Sequence, residues 1–200
     1  MVGILLIGLL VACYSCIEIG DAKSGNKGMV VHAFDHDVYL GVASLVNKSC
    51  KNLKVTGTLH ADNLIVTGSA RVVGSAIVVD SNIAELSVLG KAKLNNLTVT
   101  KRLKLTGKAK INTGSYPEIS LHGQNFELCN LTVAGSITIK TDHHKNDNTA
   151  RLVLYNCQIA GDVICLSPNC ELIVDSTTKI TGKIFGFAKN KGQALLDLNL

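Results

Sequence analysis

The sequence predicts an all-β chain wound into a single-stranded parallel β-helix of about seven coils, and three observations predict it. Glycines recur at Gly57, Gly74, Gly90, Gly107, Gly135, Gly161 and Gly182, in steps of 17, 16, 17, 28, 26 and 21 residues. Around each glycine, apolar residues fall four and two positions before and two, often four, positions after, as with Leu53, Val55 and Leu59 or Ala70, Val72, Ala76 and Val78. Polar residues fill the alternate positions, so each segment is a strand with one buried face. Finally, a step of about 17 residues is too short for a strand, a crossover helix and two loops. A hairpin sandwich would need turn signals every ~8–12 residues. What fits is a solenoid in which each strand pairs with the same strand one coil on, ~4.8 Å away.

In chain order, the first 12 residues (MVGILLIGLLVA) form an apolar run ending in a small residue, the pattern of a secretory signal. The uncharged stretch extends to Ile17, so an uncleaved anchor over residues 1–17 is the competing reading. Residues 13–47 are expected to be a linker and N-terminal cap, with a Gly/Lys/Asn-rich stretch at 21–28. Residues 48–200 form the β-helix. The two longest steps are expected to carry loop excursions near 112–117 and 140–150, the second reading KTDHHKNDNTA. Ala194, Leu195, Leu196, Leu198 and Leu200 are expected to close the far end as a last strand or short helix.

Two resemblances add to this. Leu10-Val11-Ala12-Cys13 resembles a bacterial lipobox, which implies cleavage before Cys13 and lipidation of that cysteine. No Lys or Arg precedes the apolar run, where such signals normally carry one. The segments NLKVTGTL (52–59), NLIVTGSARV (63–72), LTGKAKI (105–111) and NLTVAGSITI (130–139) resemble the bactofilin, or polymer-forming, β-helix family over roughly residues 50–185. That resemblance implies a right-handed β-helix that self-associates end to end into filaments near a membrane. The export signal and the enlarged coils depart from that family.

Composition narrows the class. A mean hydropathy of +0.28 is too apolar for a disordered chain. The 18 glycines lack a period of three, which excludes collagen. Seven cysteines are present, and if Cys13 is lipidated then Cys16, Cys50, Cys129, Cys157, Cys165 and Cys170 remain, an even number compatible with disulfides in an oxidising compartment. Cys165 and Cys170, closing a short loop around Pro168, are the favoured pair. Cys157 is expected inside the core, and Cys129 is expected to share its inward parity. His32 and His36 in HAFDHD would stand ~13 Å apart along one strand, too far for a shared ion, and no metal or cofactor is expected.

No catalytic constellation is legible. Asp62, Asp80, Glu85, Glu118 and Glu127 fall in different columns of the repeat, so a carboxylate pair for polysaccharide cleavage is not formed, and no nucleophile elbow appears. The charge pattern is more informative. Seven Lys and Arg lie between Lys91 and Lys110 without an acid among them, and the chain carries +5 overall. Lys91 is expected to stack on Lys108 and Lys93 on Lys110, while Lys54, Arg71, Lys104 and Lys179 share another column. Lys91, Lys93, Lys104, Lys108 and Lys110 are the candidate anion-binding residues. Aromatic residues, 4% of the chain, do not interleave with them, which argues against nucleic acid.

The expectation is a non-catalytic structural or binding protein of a bacterial cell envelope, on its outer-membrane or periplasmic face. Its partners would be a membrane, through the N-terminal lipid, and cell-wall polymer or polysaccharide. The alternatives are a bactofilin-like self-polymerising scaffold and, behind it, an envelope carbohydrate-active enzyme.

Overall fold

A computed structural model of the chain describes residues 15–19, 27–33, 35–141 and 149–191, with 15–19, 27–33 and 189–191 described as backbone. The signal segment 1–12, Cys13 and the terminal residues 192–200 lie outside the described residues, as does most of the 140–150 excursion. The described chain is all-β without a helix, its strands stacked in parallel as a β-solenoid of about 8 turns.

Three faces make up each coil, and the alternation of the sequence decides which residues point in. Leu53 and Val55 are inward on the first face, Leu59 and Ala61 on the second, Leu64 and Val66 on the third, all of them buried. One coil on, Leu53 pairs with Ala70, Val55 with Val72, Leu59 with Ala76 and Ala61 with Val78. The same columns continue through Leu105 with Leu121, Leu121 with Ile139 and Ile139 with Cys165. These ladders form a continuous hydrophobic cluster along the tube. Each aliphatic side chain buried this way contributes roughly 1.5–3 kcal/mol.

Three corners join the faces, and two of them have a left-handed or glycine-only backbone in coil after coil. At the first, Gly41, Gly57, Gly74, Gly90, Gly107 and Gly123 stack with positive φ. A Cβ at Gly90 would overlap the carbonyl oxygen of Gly74, so this close approach admits only glycine. The second corner is left-handed at Asn47, Asn63, Asp80, Asn96, Thr113, Asn130 and Asn156, with φ between 47° and 58°. Asn and Asp adopt that conformation at least cost. Their side chains also link coils: Asn63 Nδ2 donates to Asn47 Oδ1 at 2.7 Å, Asn96 Nδ2 to Asp80 Oδ1 at 2.7 Å and Asn156 Nδ2 to Asn130 Oδ1 at 2.8 Å.

This geometry corrects the sequence register. Gly107 stacks under Gly123, not Gly135. Gly135 lies over Pro117, Gly161 over Gly135 and Gly182 over Gly161, a third corner shared with Gly68 over Lys51. The supposed 28-residue coil is an ordinary coil plus a move to another corner, which is why about seven coils become about 8. No excursion exists at 112–117, where Asn112 pairs with Cys129, Gly114 with Leu131 and Tyr116 with Val133 in unbroken register. At 140–150 the register does carry an insertion: His122 pairs with Lys140 and Asn125 with Arg151, so two residues of one coil correspond to ten of the next.

The N-terminal end differs from the expected boundary at residue 48. β1 (Ser15–Ile19) pairs antiparallel with β2 (Lys27–Ala33), β2 pairs antiparallel with β3 (His36–Val46), and β3 already stacks parallel on Asn52–Asp62. The helix therefore starts at His36, with β2 laid across the edge of its first coil. β1 also takes residues 15–17 as strand, out of the uncharged run proposed as an anchor. Because the chain reverses between β2 and β3, Ala33 pairs with His36 and His32 with Asp37, so the two histidines are not on one strand.

Candidate functional site

The sequence places a lysine one and three residues after the stacked glycines Gly90 and Gly107, and those positions point outward on the second face. Lys91, Lys93, Lys108 and Lys110 are accordingly exposed and superposed in two adjacent coils. Lys104 does not join them. It pairs with Ser120 across the glycine corner, on the first face, in the column of Lys54 and Arg71. Lys179 belongs to neither set, because it pairs with Gln158 on the third face. The Lys104 column is the one its spacing from Gly107 predicts, although that separates it from the other candidate lysines, while the displacement of Lys179 follows from the shifted register.

The next two coils contribute residues the sequence reading missed. Lys108 pairs with Asn125 and Lys110 with Glu127, and Asn125 pairs in turn with Arg151. An extra residue opposite Gly107/Lys108 makes a bulge here, which interrupts the ladder and bends the strand locally. Beneath, the small inward residues Ala92 and Ala109 lower the floor, beside the larger Phe126. The result is an open groove of about 360 Å³ over four coils, walled by Lys91, Lys108, Lys110, Asn125, Glu127 and Arg151. The 16-residue step from Gly107 to Gly123 was the signal that would have found the second half of this site.

Charge in the groove is mixed but predominantly basic. Lys110 Nζ donates to Glu127 Oε1 at 2.6 Å, and this hydrogen bond with its attraction holds the Lys110 ammonium pKa above the usual lysine value. Arg151 lies 3.7 Å from Glu171 of the following coil. Among the described residues Lys91 and Lys108 form no ion pair, so their ammonium groups are available to an outside anion.

A second polar cluster occupies the mouth of the tube. In the columns that hold aliphatic side chains elsewhere, the first coil has Asp37, Tyr39, Lys48 and Cys50. Lys48 Nζ donates to Tyr39 Oη at 2.7 Å and sits 2.9 Å from Asp37 Oδ2, partly shielded from solvent. Burial lowers the Lys48 pKa, but the hydrogen bonds to Tyr39 and Asp37 outweigh it and the net shift is upward. Burial pushes the Cys50 thiol up, with Asp37 adding to the shift, so this cysteine is not an activated thiolate.

Of the remaining cysteines, Cys165 and Cys170 form a disulfide, Cα–Cα 6.5 Å, across the turn that continues the corner of the 140–150 excursion. Cys157 is buried and free. Cys129 is not inward: it pairs with the exposed Tyr155, because the left-handed residue Asn130 resets the alternation between Cys129 and Cys157. Among the described residues no group of three His, Cys, Asp or Glu side chains is placed to hold a metal ion.

The fold and this face define a parallel β-solenoid with a basic groove on one side. Comparison with family models, with curated proteins and with solved structures finds no match.

Proposed function

We propose that the chain is a non-catalytic binding rod of a bacterial cell envelope, held at a membrane by a lipid on Cys13. One observation carries the binding reading: the inward positions are filled by stacked aliphatic side chains, so chemistry is offered on the outward columns, and there the cations converge on one groove. A rigid tube with side chains fixed every ~4.8 Å is a ruler-like surface, suited to a partner that is itself extended and repetitive. The polar mouth and the antiparallel β2 on the first coil favour this reading over an end-to-end polymer. Stacking a second tube there would bury the Asp37–Lys48 pair and displace β2 from its hydrogen bonds.

Expression of the full chain in a bacterium, followed by fractionation and intact mass, tests the address. A membrane-bound species beginning at an acylated Cys13, and its loss in Cys13→Ser, is the expected result. A soluble mature chain that retains Met1 overturns it. Light scattering of the detergent-solubilised protein gives a monomer on this reading and filaments on the scaffold alternative.

A further inference from the structure

We infer that the groove on the second face binds an acidic polysaccharide, laid parallel to the tube axis, with its carboxylates on Lys91, Lys108 and Arg151. The inference rests on the binding-rod reading above and specifies its ligand. Lys91, Lys108, Asn125 and Arg151 occupy successive levels of one outward column, so the spacing between contacts is the coil rise of ~4.8 Å, close to the length of one sugar ring. The groove volume of about 360 Å³ is in the range of sites that hold small ligands, ~300–1,000 Å³. A short stretch of a longer chain fits, its ends leaving along the axis.

The class of anion follows from what else lines the groove. Glu127 stands beside Lys110 with its side chain 39% exposed, and Asn125 sits between the levels of Lys108 and Arg151. A polymer with a phosphate at every link would place negative charge against Glu127 at short range, a repulsion that offsets much of the lysine attraction. A polymer that alternates carboxylates with hydroxyls suits all of these groups. Its carboxylates meet the unpaired lysines and Arg151, whose guanidinium is able to turn from Glu171 at 3.7 Å, too long for a strong hydrogen bond. Its hydroxyls donate to Glu127 and to the Asn125 amide oxygen, or accept from the Asn125 amide nitrogen.

Calorimetric titration of the full-length protein tests this with three probes: a ten-residue galacturonate oligomer, its methyl-esterified neutral counterpart and inorganic polyphosphate. The acidic oligomer is expected to bind, the neutral one not to bind, and polyphosphate to bind more weakly than the acidic oligomer. Lys91→Gln combined with Lys108→Gln is expected to lower affinity for the acidic oligomer about tenfold, some 1.4 kcal/mol. Lys54→Gln with Arg71→Gln, an equal loss of charge on the first face, is expected to leave it within twofold. All four side chains are exposed, so both variants keep the fold. Equal losses in the two variants, or polyphosphate binding as tightly as galacturonate, overturn the inference. A lipid-anchored protein that binds none of the probes sinks the ligand assignment and leaves the envelope reading standing.

Discussion

Thr113 is the one β-branched residue in a corner otherwise made of asparagine and aspartate, and replacing it is a quantitative test of how the corners work. Its φ of 58° lies in the left-handed region, where a β-branched side chain costs about 1 kcal/mol more than asparagine. It also interrupts the side-chain ladder. Each asparagine that can reach back donates to the coil before it, as Asn63, Asn96 and Asn156 do, while Asn96 and Asn130 flank Thr113 without a bond to it. Thr113→Asn would donate to Asn96 Oδ1 and accept from Asn130 Nδ2. These bonds are exposed and contribute about 0.5 kcal/mol each. The sum is about 2 kcal/mol of added stability. For a chain of this size that corresponds to a rise in Tm of roughly 4–8 °C. Thermal unfolding followed by circular dichroism measures it, with Asn63→Thr as the reverse control, expected to lower Tm by a similar amount. An unchanged or lower Tm in Thr113→Asn, while Asn63→Thr behaves as expected, would refute the argument that corner conformation and laddering govern these positions.

Other outcomes follow from single features. Tyr116 is buried in the column of Val99 and Val133, and its hydroxyl has no hydrogen-bond partner among the described residues. Phe at this position removes an unsatisfied group worth about 1–3 kcal/mol, so Tyr116→Phe should raise the urea midpoint, and a lower midpoint would show that the hydroxyl is bonded after all. The ring fits because Gly114 replaces the Leu97 and Leu131 of neighbouring coils; a Cβ there would overlap the Leu97 carbonyl oxygen and lie 2.7 Å from Tyr116 Oη, so Gly114→Ala should lower the urea midpoint even when Tyr116 is shortened to Val in the same chain, and full rescue by that second change would show that the backbone contact yields. Gly90→Ala should cost at least 3 kcal/mol, roughly, since the added Cβ overlaps the Gly74 carbonyl at φ +135°, and a folded chain with native Tm would contradict the stacked corner. Burial acts to raise the Asp175 pKa, but hydrogen bonds from Thr177, Thr178 and the amides of Asn156 and Thr178 outweigh it and bring it to about 2. A carboxylate depressed below its unfolded value of about 3.9 stabilises above about pH 4, and that contribution fades as pH falls toward 2. Asp175→Asn should therefore flatten the dependence of Tm on pH across that window, and an unaltered slope would assign the acid sensitivity elsewhere.

The in-out pattern, and with it the fold class, was legible because burial on one face imposes a period of two that survives in every strand. Where the reading failed, it failed for a local reason. The six-residue pattern Asn-Leu-x-Val-Thr-Gly occurs at Asn52–Gly57 and again at 63–68, yet Gly57 belongs to the first corner and Gly68 to the third. A strand leading into a turn looks alike whichever corner it approaches, so glycine spacing alone does not tell one corner from the next. At the third corner Lys51 and Pro117 stand where Gly68 and Gly135 stand in other coils, which hides the column. The asparagine corner was in plain view at steps of 16 and 17 residues, and naming it would have fixed the phase.

The order of residues thus determined that the chain is a stack of one-sided strands, that its interior is aliphatic and that its lysines gather around residues 91–110. It also stacked Lys91 on Lys108 and set Lys104 in another column, but only the folded tube decided which residues of later coils join that surface. Lys104 is four residues from Lys108 in sequence, but the glycine corner at Gly107 turns it onto another face, while Arg151, 43 residues beyond Lys108, arrives two levels above it. Proximity on the outside of a solenoid is set by coil register, and register is the sum of every corner, bulge and insertion that comes before. No local stretch of sequence carries that sum.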